Sequence, residues 1–245
     1  MASQYQLSVV SNELTTPNMR RVVLGGASLS GFPAGQESGY VKVVFPQSGA
    51  DKPLMRSYTI RHFDADSEQL TLDFAVHDAG GPAITWATSA RVGDEIEIRG
   101  PGATKLVDPE ANWYLLAGDM SALPALSANL ERMPANAKGY AVIEVLTEAD
   151  KQPLRYPPGI DLIWVINPNN SQPNRLLFDQ IVALPWLDGT PYPWFAGEFD
   201  AMREVRRFFR DEKAIDRRAM YISCYWKIGD TDEGMKQAKR MDPDA

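Results

Sequence analysis

Six consecutive residues combine two guanidinium groups, a phenol and two aliphatic hydroxyls in a strand-like run, Arg56-Ser57-Tyr58-Thr59-Ile60-Arg61. A guanidinium can hold a pyrophosphate through two charge-assisted hydrogen bonds. A ring two positions along a strand points to the same face and can lie against a flavin or its ribityl chain, and a neighbouring hydroxyl can bond a ring heteroatom. Taken alone, the run also fits an ordinary strand with an exposed Arg and a half-buried Tyr.

A second segment joins a strand, LDFAVH, to a helix of small residues, GPAITWATSA, through a Gly-Gly turn. The free backbone N–H groups at such a helix start favour a pyrophosphate. The histidine of this segment fits two interpretations, a partly buried residue bonded to a carbonyl or a contact to flavin or adenine. The candidate contacts are Asp73, His77, Gly81, Pro82, Ala83 and Thr85.

Two further segments lie at strand ends beside helix starts, in LLAGDMSALPA and in WFAGE. Ligands of open α/β sheets bind at the carboxyl ends of the strands. The glycine of the first segment permits a tight turn, its second polar residue can cap the next helix, and the final glutamate can cap its own helix. A plain capped helix start is the alternative interpretation. The candidates are Gly118, Asp119, Ser121, Ala122, Gly197 and Glu198.

The elements that must position these segments change character near residue 108. Before it, short strands rich in β-branched and aromatic residues have the spacing of a closed antiparallel β-barrel. After it, buried strands alternate with helices, which predicts a parallel-sheet α/β domain. We therefore predict two domains, residues 1–107 and 108–245.

Two stretches are predicted to carry no regular packed element. The Gly25-Gly26-Ala27-Ser28 turn is interpreted as a loop because no helical pattern follows it. Residues 230–245 are polar and charged and are predicted to form a frayed helix or tail.

Composition narrows the class of protein. A net charge of -7 in 245 residues opposes general nucleic-acid binding. The single Cys224 permits neither an internal disulfide nor a zinc cluster, and it fits a reducing cytoplasm. No apolar run reaches the ~18–20 residues of a membrane span, and the amino terminus lacks a signal-peptide pattern. We expect a cytoplasmic protein with no membrane or nucleic-acid partner and no resident metal.

In this order and spacing, the segments resemble the siderophore-interacting proteins, also called ferric-siderophore reductases, among the ferredoxin-reductase-like flavoproteins. The resemblance extends from about Leu7 to Gly229. It rests on RSYT, DFAVH, GPAITWA, VGDEIEIRGP, LLAGDMSALPAL, WFAGE and the late Tyr225-Trp226-Lys227-Ile228-Gly229.

The resemblance implies a barrel that holds FAD and an α/β domain that docks NADH or NADPH. Arg56 would hold phosphate, Tyr58 would flank the isoalloxazine and Thr59 would bond its edge. The segment from His77 to Ala83 would cradle the dinucleotide. Residues 118–122 and 196–198 would lie on the nicotinamide side.

The implied reaction is reduction of a ferric siderophore. Hard oxygen ligands hold Fe(III) far more tightly than Fe(II), so one-electron reduction releases the metal. Flavin converts the electron pair of a nicotinamide into single electrons, and no catalytic acid or base is predicted.

A strongly anionic iron chelate requires local cations in an acidic protein. Lys42 can turn inward between Val41 and Val43 in an alternating strand, and Lys227 follows an aromatic pair. Some relatives carry an Arg after the GP where this chain has Gly102, and Lys105 can replace that charge. All three lysines also fit ordinary surface positions. The weaker candidates are Arg217 and Arg218, and the run Arg203, Arg206, Arg207 and Arg210 is interpreted as a solvated helix face.

Three functional hypotheses remain open at this point: an NAD(P)H:ferric-siderophore oxidoreductase, a general flavin or ferredoxin reductase, and a siderophore-binding flavoprotein supplied with electrons by a protein partner such as ferredoxin. The choice between NADH and NADPH also stays open. A 2′-phosphate normally needs a nearby Arg or Lys, and Lys138, Lys151 and Arg155 cannot be placed from sequence.

Overall fold

The computed structural model describes residues 3–45, 53–76 and 80–244, and His77 lies outside them. The chain forms two compact units, Met1–Leu106 and Val107–Ala245.

The first unit is a closed barrel of six antiparallel strands in the order β1-β2-β5-β4-β3-β6, as predicted. Alternation of apolar and polar residues gives each strand one face toward the core. The core is almost completely closed to solvent at Val22, Leu24, Ile60, Leu72 and Phe74. The strands are β1 Ser3–Thr16, β2 Met19–Gly25, β3 Tyr40–Phe45, β4 Leu54–Asp64, β5 Gln69–Ala75 and β6 Glu95–Gly102.

The predicted helix of small residues is α1, Pro82–Ser89. Ala83 and Ala87 face the barrel core, because small side chains let the helix approach the strands closely. The side-chain amide of Asn12 donates to the carbonyls of Ala87 and Ala90 at 2.8 Å each, which satisfies the carboxyl end of the helix. The loop interpretation after Gly26 is wrong, because a short 3-10 helix, Ala27–Gly31, follows.

The second unit is a five-stranded parallel sheet in the order β11-β10-β7-β8-β9. All carboxyl ends therefore meet at one edge. The strands are β7 Trp113–Gly118, β8 Lys138–Val145, β9 Gly159–Ile166, β10 Pro191–Glu198 and β11 Tyr221–Trp226, and the helices are α2 Leu123–Arg132, α3 Leu176–Val182, α4 Phe199–Arg207 and α5 Asp232–Met241.

The sequence patterns missed β11, because its aromatic residues stand outside the strand–helix alternation. The prediction of a frayed helix or tail at residues 230–245 is also wrong. Helix α5 is not a frayed segment, since Met235 is only 7% exposed and belongs to the core of the second unit.

The arginine run of α4 and the following π-helical turn is only partly a solvated face: Arg207 and Arg210 are exposed, as predicted, but Arg203 and Arg206 are half-buried. A guanidinium nitrogen of Arg206 lies 2.5 Å from a carboxylate oxygen of Asp242, and Arg203 lies 3.5 Å from the other oxygen. Arg210 and Arg207 pair with Asp244 at 2.9 and 3.5 Å. These ion pairs fasten the segment after α5 to α4.

Replacing Asp242 by Asn should destabilise the second unit by about 2–3 kcal/mol, because the largely buried Arg206 would lose its charged partner. Asp244→Asn is the matched control. Its pairs with Arg210 and Arg207 are more exposed, so a loss below about 1 kcal/mol is expected. Urea denaturation measures the free energy of unfolding of both variants. Equal losses of stability would contradict the view that the Asp242 ion pairs fasten the segment after α5 to α4.

Candidate functional site

Arg56 and Tyr58, which stand two positions apart in the RSYT run, share one face of β4. They stand opposite Val43 and Val41, which line the inner wall of the barrel. The half-buried ring of Tyr58 packs on Phe74, with ring centroids 4.1 Å apart. Burial raises the pKa of Tyr58, and the Arg56 guanidinium opposes this shift only weakly. The phenol therefore keeps its proton and can donate a hydrogen bond.

The other two residues of the run, Ser57 and Thr59, lie on the opposite face of β4. Thr59 stands across from Tyr40 and is 8% exposed, and Ser57 is exposed across from Lys42. Strand alternation thus divides the four predicted contacts between two faces. Cofactor contacts at Ser57 and Thr59 stay predictions that require a ligand reaching the outer face.

A groove beside the start of α1 is lined by Phe45, Gly81, Pro82, Thr85, Trp86 and Ser89. The Trp86 ring contacts Phe45 at 5.9 Å and Phe74 at 5.8 Å between centroids. The Phe74 ring also packs against Tyr58. The groove and the Arg56–Tyr58 face are therefore connected through this one core ring.

The amino end of α1 has the properties expected of a phosphate seat. Among the described residues, no side chain caps it, and Pro82 occupies the first turn. Gly81 has φ +122°, which L side chains rarely adopt, and open space surrounds its Cα. Ala83, by contrast, is 7% exposed and faces the core, so only its backbone is available to a ligand. Uncapped N–H groups beside an aromatic groove fit a dinucleotide with an aromatic ring system.

Asp73 is engaged elsewhere on the barrel. Both of its carboxylate oxygens accept hydrogen bonds from Arg21 at 2.7 Å, across β2 and β5. This observation gives Asp73 a role in joining two strands, and a cofactor contact there stays a prediction.

In the second unit, a buried carboxylate stands at the carboxyl end of β7. Asp119 accepts hydrogen bonds from the Ser121 backbone at 2.8 Å and from the Trp226 indole at 2.7 Å, as well as from the backbone of Glu198. Burial raises the pKa of Asp119, and the hydrogen bonds from Ser121 and Trp226 work against that rise.

One prediction about the turn after β7 is wrong. Ser121 does not cap α2, because its hydroxyl donates to Asp119. The helix begins only at Leu123, and its N-cap residue, Ala122, makes no capping side-chain hydrogen bond. The tight turn predicted after Gly118 is present at residues 120–122, and Gly118 does not have a positive φ there. Its lack of a side chain is needed for packing, since a Cβ there would lie 2.5 Å from the carbonyl oxygen of Ala196.

The WFAGE segment completes this edge of the sheet. A Cβ at Gly197 would lie 2.7 Å from a carboxylate oxygen of Asp119, so the glycine makes room for the buried acid. Glu198 caps α4, as one interpretation held, by accepting from the backbone of Asp200 at 2.5 Å and Ala201 at 3.1 Å. It also accepts from the backbone of Ile228 at 3.2 Å.

The sequence patterns missed Glu144, at the carboxyl end of β8. Its carboxylate accepts a hydrogen bond from the side-chain amide of Asn167 at 3.0 Å. Burial raises the pKa of Glu144 to about 7, the hydrogen bond from Asn167 lowers it, and the neighbouring Asp119 raises it further. The available signal was an acid inside the otherwise apolar strand YAVIEV.

The three predicted substrate lysines occupy separate places. Lys42 is exposed on the outer face of the barrel, so the prediction that it turns inward is wrong; Val41 and Val43 fill the inner face on either side of it. Lys105 is half-buried, and its carbonyl accepts from the Ser38 hydroxyl at 3.0 Å. Lys227 in the second unit has its ammonium 5.8 Å from the centre of the Phe199 ring.

A loss of stability should accompany ionisation of Glu144. Because its pKa is raised from 4.5 to about 7, the native state binds the proton more tightly than the unfolded chain, and stability falls as pH rises between these values. Glu144→Gln removes this loss. We expect the free energy of unfolding of the variant to rise relative to that of wild type from pH 4.5 to 8, by at most ~3 kcal/mol. Urea denaturation at each pH measures it, and a difference that does not change with pH would disprove a buried titrating acid.

Comparison with known proteins identifies relatives over the whole chain. The family model described as "Siderophore-interacting FAD-binding domain" matches residues 8–55 and 47–105, and the model described as "Siderophore-interacting protein" matches residues 111–229. Among the described helices, none has both the length and the apolar character that a bilayer crossing requires.

Individual proteins agree with these models. The chain is 32% identical to ferric vibriobactin reductase ViuB of Vibrio cholerae, over 96% of this chain and 93% of the relative. It is 27% identical to the NADPH-dependent ferric-chelate reductase of Escherichia coli, over 90% of this chain and 92% of the relative.

Solved structures show the same relationship. The siderophore-interacting protein SipS from Aeromonas hydrophila superposes with a TM-score of 0.89 at 32% identity, covering 100% of this chain and 99% of the other. Ferredoxin-NADP+ reductase from Plasmodium falciparum, at 14% identity and a TM-score of 0.67, shares the fold. The chain therefore belongs to the siderophore-interacting protein family.

Proposed function

We propose that this protein reduces ferric siderophores with FAD as its cofactor and a nicotinamide nucleotide as the electron donor. The observation that carries the proposal is the placement of Arg56 and Tyr58 on one face of β4, beside the uncapped start of α1. This placement lies in the unit that matches a siderophore-interacting FAD-binding domain. The names of the Vibrio cholerae and Escherichia coli relatives support reduction of ferric chelates.

The barrel unit holds the cofactor. The Arg56 guanidinium binds the pyrophosphate, helped by the amino end of α1, and the protonated Tyr58 packs against the ring system on a base of Phe74. Trp86 and Phe45 exclude water from one wall of the groove. FAD held by these residues would supply the conversion of a nicotinamide's electron pair into single electrons.

The α/β unit docks the nicotinamide nucleotide at the carboxyl edge of its sheet. The glycines at 118 and 197 keep β7 and β10 close, and Asp119 holds the Trp226 indole at this edge. Asp119 is thus a positioning residue for the nucleotide site, since it acts through Trp226 and the backbone of β10.

The iron chelate is the substrate. Lys42 is exposed and Lys105 and Lys227 are half-buried, and each of them is a separate candidate for attracting an anionic siderophore. Release of iron follows from the weaker hold of hard oxygen ligands on Fe(II), so the protein contributes no proton donor to this step. A cytoplasmic location suits this reaction because nicotinamide nucleotides are available there.

Removing the Arg56 charge should weaken FAD binding by about 10- to 100-fold, since a charge-assisted fork to the pyrophosphate is lost. Quenching of FAD fluorescence on titration with Arg56→Gln apoprotein measures the affinity. Arg91→Gln is the matched control, because Arg91 is exposed in the same unit and lines neither the groove nor the β4 face. Wild-type affinity in Arg56→Gln would remove Arg56 from the cofactor site.

Anaerobic stopped-flow mixing tests the reaction itself. We expect NADH or NADPH to bleach the flavin absorbance and a ferric tris-catecholate chelate to restore it, with Fe(II) trapped by a chromogenic chelator. Restoration only by ferredoxin or a quinone would instead indicate a general reductase. Bleaching by reduced ferredoxin alone would indicate a flavoprotein supplied by a protein partner.

A further inference from the structure

The acids at the carboxyl edge of the α/β sheet share a pocket between the starts of α3 and α4. Asp119, Glu144 and Glu198 line it from the strand ends, and Asp200 and Glu204 line it from α4. The described part of its wall includes a single cation, Arg175. The pocket therefore presents several carboxylates to any ligand that enters it.

We propose that Glu144, held by Asn167, binds the ribose hydroxyls on the adenosine side of the nucleotide and makes the protein select NADH over NADPH. This inference rests on the proposed use of a nicotinamide donor. In dinucleotide-binding sheets, an acid at the end of the second strand accepts from the ribose 2′-hydroxyl, whereas a 2′-phosphate needs a cation there. Glu144 ends β8, the strand that follows β7 and α2.

The geometry of Glu144 suits a ribose. Asn167 is only 3% exposed and donates to Oε1 of Glu144 at 3.0 Å. The carbonyl oxygen of the same side chain accepts from the backbone of Asn169 at 3.2 Å, which fixes the orientation of the amide. Among the described hydrogen bonds of Glu144 only Oε1 is engaged, so Oε2 can accept from a hydroxyl in the pocket.

The one cation of the pocket wall is occupied by acids. A guanidinium nitrogen of Arg175 lies 2.5 Å from a carboxylate oxygen of Glu204, and another lies 3.5 Å from Asp179. The guanidinium also stacks 4.5 Å over the Phe178 ring. A 2′-phosphate could pair with Arg175 only by displacing these carboxylates, which costs binding free energy. A neutral ribose hydroxyl requires no such displacement.

The basic residues that sequence could not place do not line this pocket. Lys138 begins β8, so it lies at the opposite end of the strand from Glu144. Lys151 pairs with Glu148, and Arg155 is exposed in the stretch before β9. The charges that surround Glu144 in the described structure thus favour the unphosphorylated ribose.

Isothermal titration with the oxidised nucleotides tests the inference without turnover. NAD+ and NADP+ differ only at the 2′ position, and ADP-ribose with its 2′-phosphorylated form repeats the comparison without the nicotinamide. We expect wild-type protein, in its FAD-loaded form, to bind each unphosphorylated ligand at least ~10-fold more tightly. Glu144→Gln should bring each pair close to equal affinity, because the repulsion and the charged acceptor are both lost.

Glu148→Gln is the matched control. It removes the same charge a few residues further along the chain, from a side chain that is 73% exposed and does not line the pocket. The ratio of affinities in this variant should equal that of wild type. An equal change in both variants would overturn the role of Glu144.

The remaining outcomes separate this inference from the proposed function. Tighter binding of NADP+ by wild-type protein, lost in Arg175→Gln, would overturn the selection for NADH and leave the nicotinamide donor intact. Absence of binding by all four ligands would overturn both the inference and the proposed donor.

Discussion

A buried carboxylate at the meeting point of three parallel strands organises the α/β unit. Asp119 follows β7, accepts from the backbone at the end of β10, and accepts from the indole at the end of β11. A buried carboxyl group is tolerated only when hydrogen bonds compensate its lost hydration. Gly197 leaves the space that the Asp119 carboxyl group needs. The carboxyl edge of this sheet is therefore held together by polar contacts rather than by packing alone.

The barrel unit follows a different constraint, the two-residue period of a strand. On β4 this period aims Arg56 and Tyr58 at the end of the barrel core and aims Ser57 and Thr59 away from it. The same period on β3 sends Lys42 outward between two buried valines. A ligand on the Arg56 side would meet Arg56, Tyr58 and Trp86, while the Phe74 ring, closed to solvent, packs against both Tyr58 and Trp86.

Local patterns predicted what local forces determine. Alternating residues indicated the six barrel strands, and buried strands separated by helices indicated the parallel sheet. The Glu198 cap could be predicted for the same reason, because its partners are two and three residues away in the chain. The resemblance of the combined motifs to a known family was confirmed by the family models and relatives.

The errors came from contacts between distant parts of the chain. Ser121 looks like a cap until Asp119, drawn inward by Trp226 more than a hundred residues later, takes its hydroxyl. The α4 arginines look solvated until the acids after α5 arrive beside them. Glu144 has no local partner, and only the register of β8 and β9 brings Asn167 to it. Such pairings depend on topology, and one sequence does not specify them.

The bare start of α1 has a consequence for folding. Glu198 completes the first turn of α4 and Thr231 completes that of α5. In the part of the chain that the structure describes, no side chain does the same for α2 and α3, nor for α1. An anion seated there would act as the missing cap, so that nucleotide occupancy becomes part of the secondary structure of the barrel unit. Loading the cofactor and finishing the helix would then be one equilibrium, and the unit would reach its full stability only as a complex.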